Sequence, residues 1–179
     1  MNKRLLPFLP LVIFGLMVMI IGTFLWRGEN PSQLNSALIG KPVPRFVLPA
    51  LDSRQTELSH SGAKNNVTII NFFASWCVTC AAEQKTLLHI KNDPRIQIWG
   101  IAYKDKSSSA KAWLERHGNP FARTAQDMNG KTAVDFGVYG VPETFVIDQK
   151  GIVRYRHAGP LTQEDLDNIL LPLIKRLSS

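Results

Sequence analysis

The 179 residues contain two cysteines, Cys77 and Cys80, in the run Trp76-Cys-Val-Thr-Cys80, so all thiol chemistry is confined to one pair. A disulfide between them closes a loop of about four residues, worth about 2 kcal/mol by the chain-entropy relation, against about 3 kcal/mol for a 15-residue loop. As a structural staple it is poor. Structural zinc takes about four ligands, and His60, His89, His117 and His157 show no paired spacing that would complete such a site. Dithiol–disulfide exchange is the chemistry the pair suits best, because it needs two neighbouring sulfurs and one of them reactive as thiolate.

The flanking residues strengthen that reading. Val67-Thr-Ile-Ile-Asn-Phe-Phe73 is a β-branched and aromatic run with the continuous apolar character of a buried central strand, and a helix is expected to begin near Cys77. Unpaired N–H groups and the dipole at a helix N-terminus favour negative charge, so the Cys77 thiol should ionise below its ordinary value of about 8.5. Cys77 is thus the expected nucleophile. Cys80, one turn further in and more buried, would resolve the mixed disulfide.

Two further groups have the right chemistry nearby. Glu83 follows Cys80 by three and shares its helical face, although spacing alone fits a solvated surface acid equally well. Gly137-Val-Tyr-Gly-Val-Pro-Glu-Thr-Phe145 places Pro142 just ahead of a strand, where a cis bond would make a tight turn. Taken alone, those residues favour trans, since only about 5–6% of X–Pro bonds are cis.

The elements that position these groups can be read along the chain. Residues 46–51 and a turn at Asp52-Ser53 suggest a short hairpin-like entry, and residues 81–91 carry apolar side chains at helical spacing until Pro94. Residues 96–102 read as a second buried strand, and 108–117 as a helix with serines available as caps, stopped by Gly118-Asn119-Pro120. Residues 131–136 form a helical turn, while 144–148 and 152–156 are strands of a hairpin turned by Gln149-Lys150-Gly151. Thr162 and Asp165 resemble a capping box opening a last amphipathic helix to Leu177, with Pro172 as a candidate kink. The β-α-β-α alternation predicts a largely parallel sheet.

Residues 5–26 hold no charged side chain and are long enough to cross a hydrocarbon core of about 30 Å as a helix. A cleaved secretory signal would have an apolar region of about 7 to 15 residues and a small-residue cleavage site, neither of which is seen here. Lys3 and Arg4 ahead of the span favour a cytoplasmic N-terminus and a main domain outside the cytoplasm. The expected division is therefore 1–27 for the N-terminus and anchor, 28–38 for a polar linker, and 39–177 for one compact domain. The formal charge is +7, but Lys3, Arg4 and Arg27 flank the span, leaving 18 basic against 14 acidic residues in mixed order. That is a solvated surface rather than a nucleic-acid footprint.

Residues 71–83, with Trp76-Cys-x-x-Cys80 after a buried strand, and residues 137–148, with Val141-Pro142 before a later one, resemble the thioredoxin superfamily. Joined by Gly118-Asn119-Pro120 and residues 152–159, they are more similar still to its thiol:disulfide interchange proteins of cytochrome c maturation, the DsbE or CcmG group. The resemblance implies an α/β, thioredoxin-like fold with a helical insertion at about 107–117, preceded by one transmembrane helix. It implies a redox-active Cys77–Cys80 disulfide and a cis peptide before Pro142 facing it. Glu83 and Glu143 would be catalytic acids near the pair, and Trp76, Tyr139, Val141 and Pro142 would line a substrate groove. It implies no cofactor and no metal. An inner-membrane protein with a periplasmic domain would take electrons from a membrane carrier of the DsbD or CcdA type. It would pass them to the haem-binding cysteines of apocytochrome c or to a CcmH-like protein. Val78 departs from the proline common after the first cysteine, so the resemblance carries no reduction potential with it.

Two other functions stay open on the sequence. A general oxidase or isomerase of periplasmic disulfides would use the same cysteines, and a non-catalytic adaptor presenting apocytochrome would need neither.

Overall fold

A computed structural model describes residues 9–26 and 36–178. The chain divides into two compact units, Met1–Pro31 and Ser32–Ser179. In the first, α1 (Leu9–Trp26) carries no charged residue. Among the described residues no helix is long and apolar enough to cross a membrane. Residues 5–8, with which the expected span opens, and Lys3, Arg4 and most of the expected linker lie outside the described residues.

The second unit is built on a five-stranded sheet in the order β5-β4-β3-β6-β7, with β3 (Val67–Phe73) at its centre, flanked by β4 (Ile96–Tyr103) and β6 (Glu143–Ile147). The outer strands are β5 (Arg123–Asp127) and β7 (Val153–Ala158). All seven residues of β3 are buried, as a strand covered on both faces and both edges must be. The helices α2 (Val78–Ile90) and α3 (Ser107–His117) are the crossovers that make β3, β4 and β5 parallel. The sheet is mixed rather than largely parallel: β6 lies antiparallel to β3, and the tight Asp148–Gly151 turn then forces β7 antiparallel to β6. A small hairpin of β1 (Val47–Leu48) and β2 (Leu58–Ser59) precedes it.

Alternation along β3 sorts the core into two layers. Ile69 and Phe73 face a cluster with Leu87 of α2, Trp113 of α3 and Leu170 and Ile174 of the C-terminal helix. Ile70 and Phe72 face the other way, toward Phe46, Phe136 and Phe145. The Phe72, Phe136 and Phe145 rings meet edge to face with centroids 5.1–5.9 Å apart. On the first face Phe121 stacks on Phe73 at 5.1 Å, and a Cβ at Gly100 would come within 2.5 Å of the Phe121 ring, so only glycine fits there.

The C-terminal helix opens at α5 (Gln163–Asp165), where Thr162 and Asp165 form the expected capping box. It continues through a π-helical turn, Leu166–Leu170, into α6 (Leu171–Leu177). The Leu171 N–H reaches back five residues to the Leu166 carbonyl. Widening the turn there accommodates Pro172, which has no N–H of its own and whose ring crowds the preceding turn. The serines expected to cap α3 do not do so: its N-cap is Lys106 without a side-chain bond, and Ser107 Oγ instead donates to Gln126 Oε1 at 3.0 Å. The short α4 (Lys131–Asp135) lies where the helical turn was expected.

Candidate active site

Cys77 and Cys80 are joined by a disulfide. Cys77 is the N-cap of α2, in extended conformation, and its Sγ accepts the Cys80 N–H at 3.1 Å. Thr79 Oγ1 stands 3.4 Å from the same sulfur. These donors and the orphan N–H groups of the first turn favour negative charge at the position of Cys77 Sγ. The two residues also differ in depth: Cys77 is 6% exposed and Cys80 is 0% exposed.

The peptide between Val141 and Pro142 is cis, which the local residues alone did not favour and the family resemblance did. This loop lies against the redox pair, with the Val141 carbonyl oxygen 3.4 Å from Cys77 Sγ. Two aromatic side chains near it are open to solvent, Trp76 at 57% and Tyr139 at 83% exposure. Trp76 Nε1 donates to the Lys104 carbonyl at 3.4 Å, and an Arg156 guanidinium lies 5.0 Å from the Tyr139 ring centroid.

Beneath the pair, Glu83 is 1% exposed. Its Oε1 accepts from Asn71 Nδ2 at 2.8 Å and its Oε2 from the Leu161 N–H at 3.1 Å. Burial pushes the carboxyl up to about 7, against the downward pull of the Leu161 and Asn71 hydrogen bonds. Asn71 Nδ2 also donates to Thr144 Oγ1 at 3.0 Å, while Asn71 Oδ1 has no partner among the described residues.

Glu143 does not join this group. It pairs across from Phe72, whereas Thr144 pairs across from Asn71, so neighbouring positions send Glu143 to the opposite face of the sheet from Glu83. There it forms a buried ion pair with Arg156 at 2.8 Å and accepts the Tyr139 N–H at 2.8 Å. Arg156 Nη2 also donates to the Gly137 carbonyl at 3.0 Å. Together Glu143 and Arg156 clamp residues 137–140, the approach to Pro142. Sequence reasoning assigned no role to Asn71, Thr144 or Arg156. An asparagine inside a buried strand of apolar and β-branched residues was the available signal, since its amide must find partners. Among the described residues no cluster of three or more His, Cys, Asp or Glu is placed to share a metal ion.

A fully buried cysteine bonded to a second one that caps a helix, with a cis-proline loop against it, defines a thioredoxin-like thiol-disulfide oxidoreductase. Residues 38–170 match the Redoxin family. A thiol-disulfide oxidoreductase from Bacteroides fragilis has the same fold, with a TM-score of 0.61 at 24% identity over 74% of this chain and 99% of that one. The thiol:disulfide interchange protein DsbE of Pasteurella multocida is 41% identical over 99% of this chain and 98% of its own length. That of Escherichia coli K12 is 39% identical over 98% and 97% respectively. The chain belongs to the Redoxin family and, within it, to the thiol:disulfide interchange proteins of the DsbE type.

Proposed function

We propose that this protein is a membrane-anchored periplasmic reductase that delivers electrons to the haem-binding cysteines of apocytochrome c, or to the disulfide of a CcmH-like partner. The observation that carries the reductase reading is the buried Glu83 carboxyl, held near neutrality three residues beyond the buried Cys80. In the forward reaction the Cys77 thiolate attacks a substrate disulfide, forming a mixed disulfide and releasing one substrate thiolate, which takes a proton. Cys80 gives its proton to the Glu83 carboxylate and attacks Cys77 Sγ, which releases the second substrate thiolate and closes the Cys77–Cys80 disulfide. Two electrons have then passed to the substrate. The protonated Glu83 finds an acceptor in the free Asn71 oxygen once that amide turns over.

Trp76, Tyr139, Val141 and Pro142 would frame the substrate, and Glu143 with Arg156 would hold the Pro142 loop rather than transfer protons. On the family resemblance, the donor that restores the dithiol is a membrane carrier of the DsbD or CcdA type. The uncharged stretch at residues 5–26 supports an anchor within residues 1–27, a linker over 28–38 and a catalytic domain over 39–177. Trapping the redox state of Cys77 and Cys80 in growing cells tests the reading. A mainly reduced pair supports a reductase, and a mainly oxidised pair would show a general oxidase instead.

A further inference from the structure

The turn that carries the nucleophile is short and has little to hold it. β3 ends at Phe73 and α2 begins at Val78, so residues 74–77 must reverse the chain and present Cys77 as the helix N-cap. Within that turn one backbone bond is made, from the Cys77 N–H to the Ala74 carbonyl at 3.2 Å. A further restraint, on the residues before Cys77, comes from the neighbouring strand. Phe73 pairs with Ala102 of β4, so the chain leaving β4 passes beside the turn.

At that point the buried Asp105 uses both carboxylate oxygens on one residue of the turn. Oδ2 accepts the Ser75 N–H at 2.6 Å and Oδ1 accepts the Ser75 hydroxyl at 2.9 Å. Its own place is fixed from β5: Gln126 Nε2 donates to the Asp105 carbonyl at 2.7 Å, and Ser107 Oγ holds Gln126 Oε1. Lys104, at φ +45°, turns its carbonyl toward the Trp76 indole and donates its own N–H to the Asp127 carbonyl at 2.9 Å. The route from the edge strand to the residue two before Cys77 is therefore continuous. Bonds to an ionised carboxylate are the strong ones of their kind, and two of them converge here.

We propose that Asp105 is a positioning residue for thiol exchange: by gripping Ser75 it holds the turn that sets Cys77 at the N-cap of α2. It touches neither sulfur nor substrate and acts through the Ser75–Cys77 backbone. The inference rests on the thiol exchange activity, and its readout compares variants of a wild type whose own exchange is measured first.

The test uses the full-length reduced protein with Asp105→Asn, Asp105→Ala and Ser75→Ala. Asparagine can keep both contacts, its oxygen accepting the Ser75 N–H and its amide donating to the Ser75 hydroxyl, while the charge is lost. Alanine loses charge and contacts together. The rate of Cys77 alkylation by iodoacetamide across pH gives its thiol pKa, and exchange with a small aromatic disulfide gives the rate. Thermal unfolding is followed in parallel. Since both Asp105 variants lack the charge, their difference reads geometry. We expect the Cys77 pKa to lie higher in Asp105→Ala than in Asp105→Asn by about half a unit or more, because a displaced sulfur loses its bond from the Cys80 N–H. Exchange should fall by about tenfold or more in Asp105→Ala, as small misplacements of reacting atoms do, and stay within about threefold of wild type in Asp105→Asn. Ser75→Ala, which keeps the backbone bond, should fall between. Equal pKa values and rates in the two Asp105 variants would overturn the proposal. If Asp105→Ala does not fold, Ser75→Ala decides: wild-type pKa and rate in that variant overturn it.

Discussion

Glu83 and Glu143 lie on opposite faces of the central sheet, the first bonded to Asn71 on the side covered by α2, the second paired with Arg156 on the other. Two carboxylates near one redox pair therefore have different work. One is a solitary buried acid that can trade a proton near neutral pH, and the other is neutralised by a guanidinium and spends its oxygens on the loop before Pro142.

The state of Glu83 should be visible in stability. The folded carboxyl keeps its proton up to about 7, whereas its ordinary value is 4.5, so between those values the folded state binds more protons than the unfolded one. Stability contributed by this group is then full below its unfolded pKa and is lost as pH rises through the folded one. The loss should reach up to about 3 kcal/mol. Urea unfolding of the disulfide-bonded wild type and Glu83→Gln at about pH 4 and about pH 8 measures it, because the wild type alone should show the extra loss. Equal pH dependence in the two proteins would mean that the carboxyl titrates alike in the folded and unfolded chains.

Glu143→Gln should behave differently. Removing one partner of a buried ion pair leaves the other charge uncompensated and typically costs about 3–5 kcal/mol. Replacing both residues, with Glu143→Gln and Arg156→Met together, should recover part of that loss, and the double-mutant cycle in urea gives the coupling. Strict additivity would show that the pair contributes through its separate contacts. The Cys77 thiol pKa should move less in Glu143→Gln than in Glu83→Gln.

How far these assignments could be read in advance follows from the residues themselves. β3 announced itself because a centrally placed strand is rich in apolar and β-branched residues, and α2, the β6–β7 turn and the Thr162 cap have local signals that tertiary packing did not need to override. β5 gave no such signal, since Arg-Thr-Ala-Gln-Asp has one apolar residue and forms a strand through its pairing with β4 and with residues near Ala50. The cysteines were legible from spacing. The ligands of Glu83 were not, because Leu161 is 78 positions away in sequence, and nothing local marks Arg156 as the buried arginine and Arg154 as the exposed one. The resemblance brings Glu143 toward the cysteines from the loop at Pro142, and the strand register that sends it to the other face of the sheet from Glu83 has no local signal.

Anchoring is tested by fractionation. The full chain should stay with membranes through high salt and an alkaline wash, whereas a chain starting at Ser32 should be soluble and keep its thiol exchange. A mature N-terminus found beyond Trp26 would instead establish cleavage.

In the proposed exchange Cys77 attacks and Cys80 resolves, with Glu83 as its proton partner. Alkylation of the reduced native protein across pH, with each modified cysteine mapped by mass, tests it most directly, on wild type and on Glu83→Gln. Cys77 should be modified first at every pH, Cys80 should react only on unfolding, and the Glu83→Gln variant should show a lower pKa for at least one thiol and a flatter profile. Cys80 reacting first, or superimposable profiles for the two proteins, would contradict it.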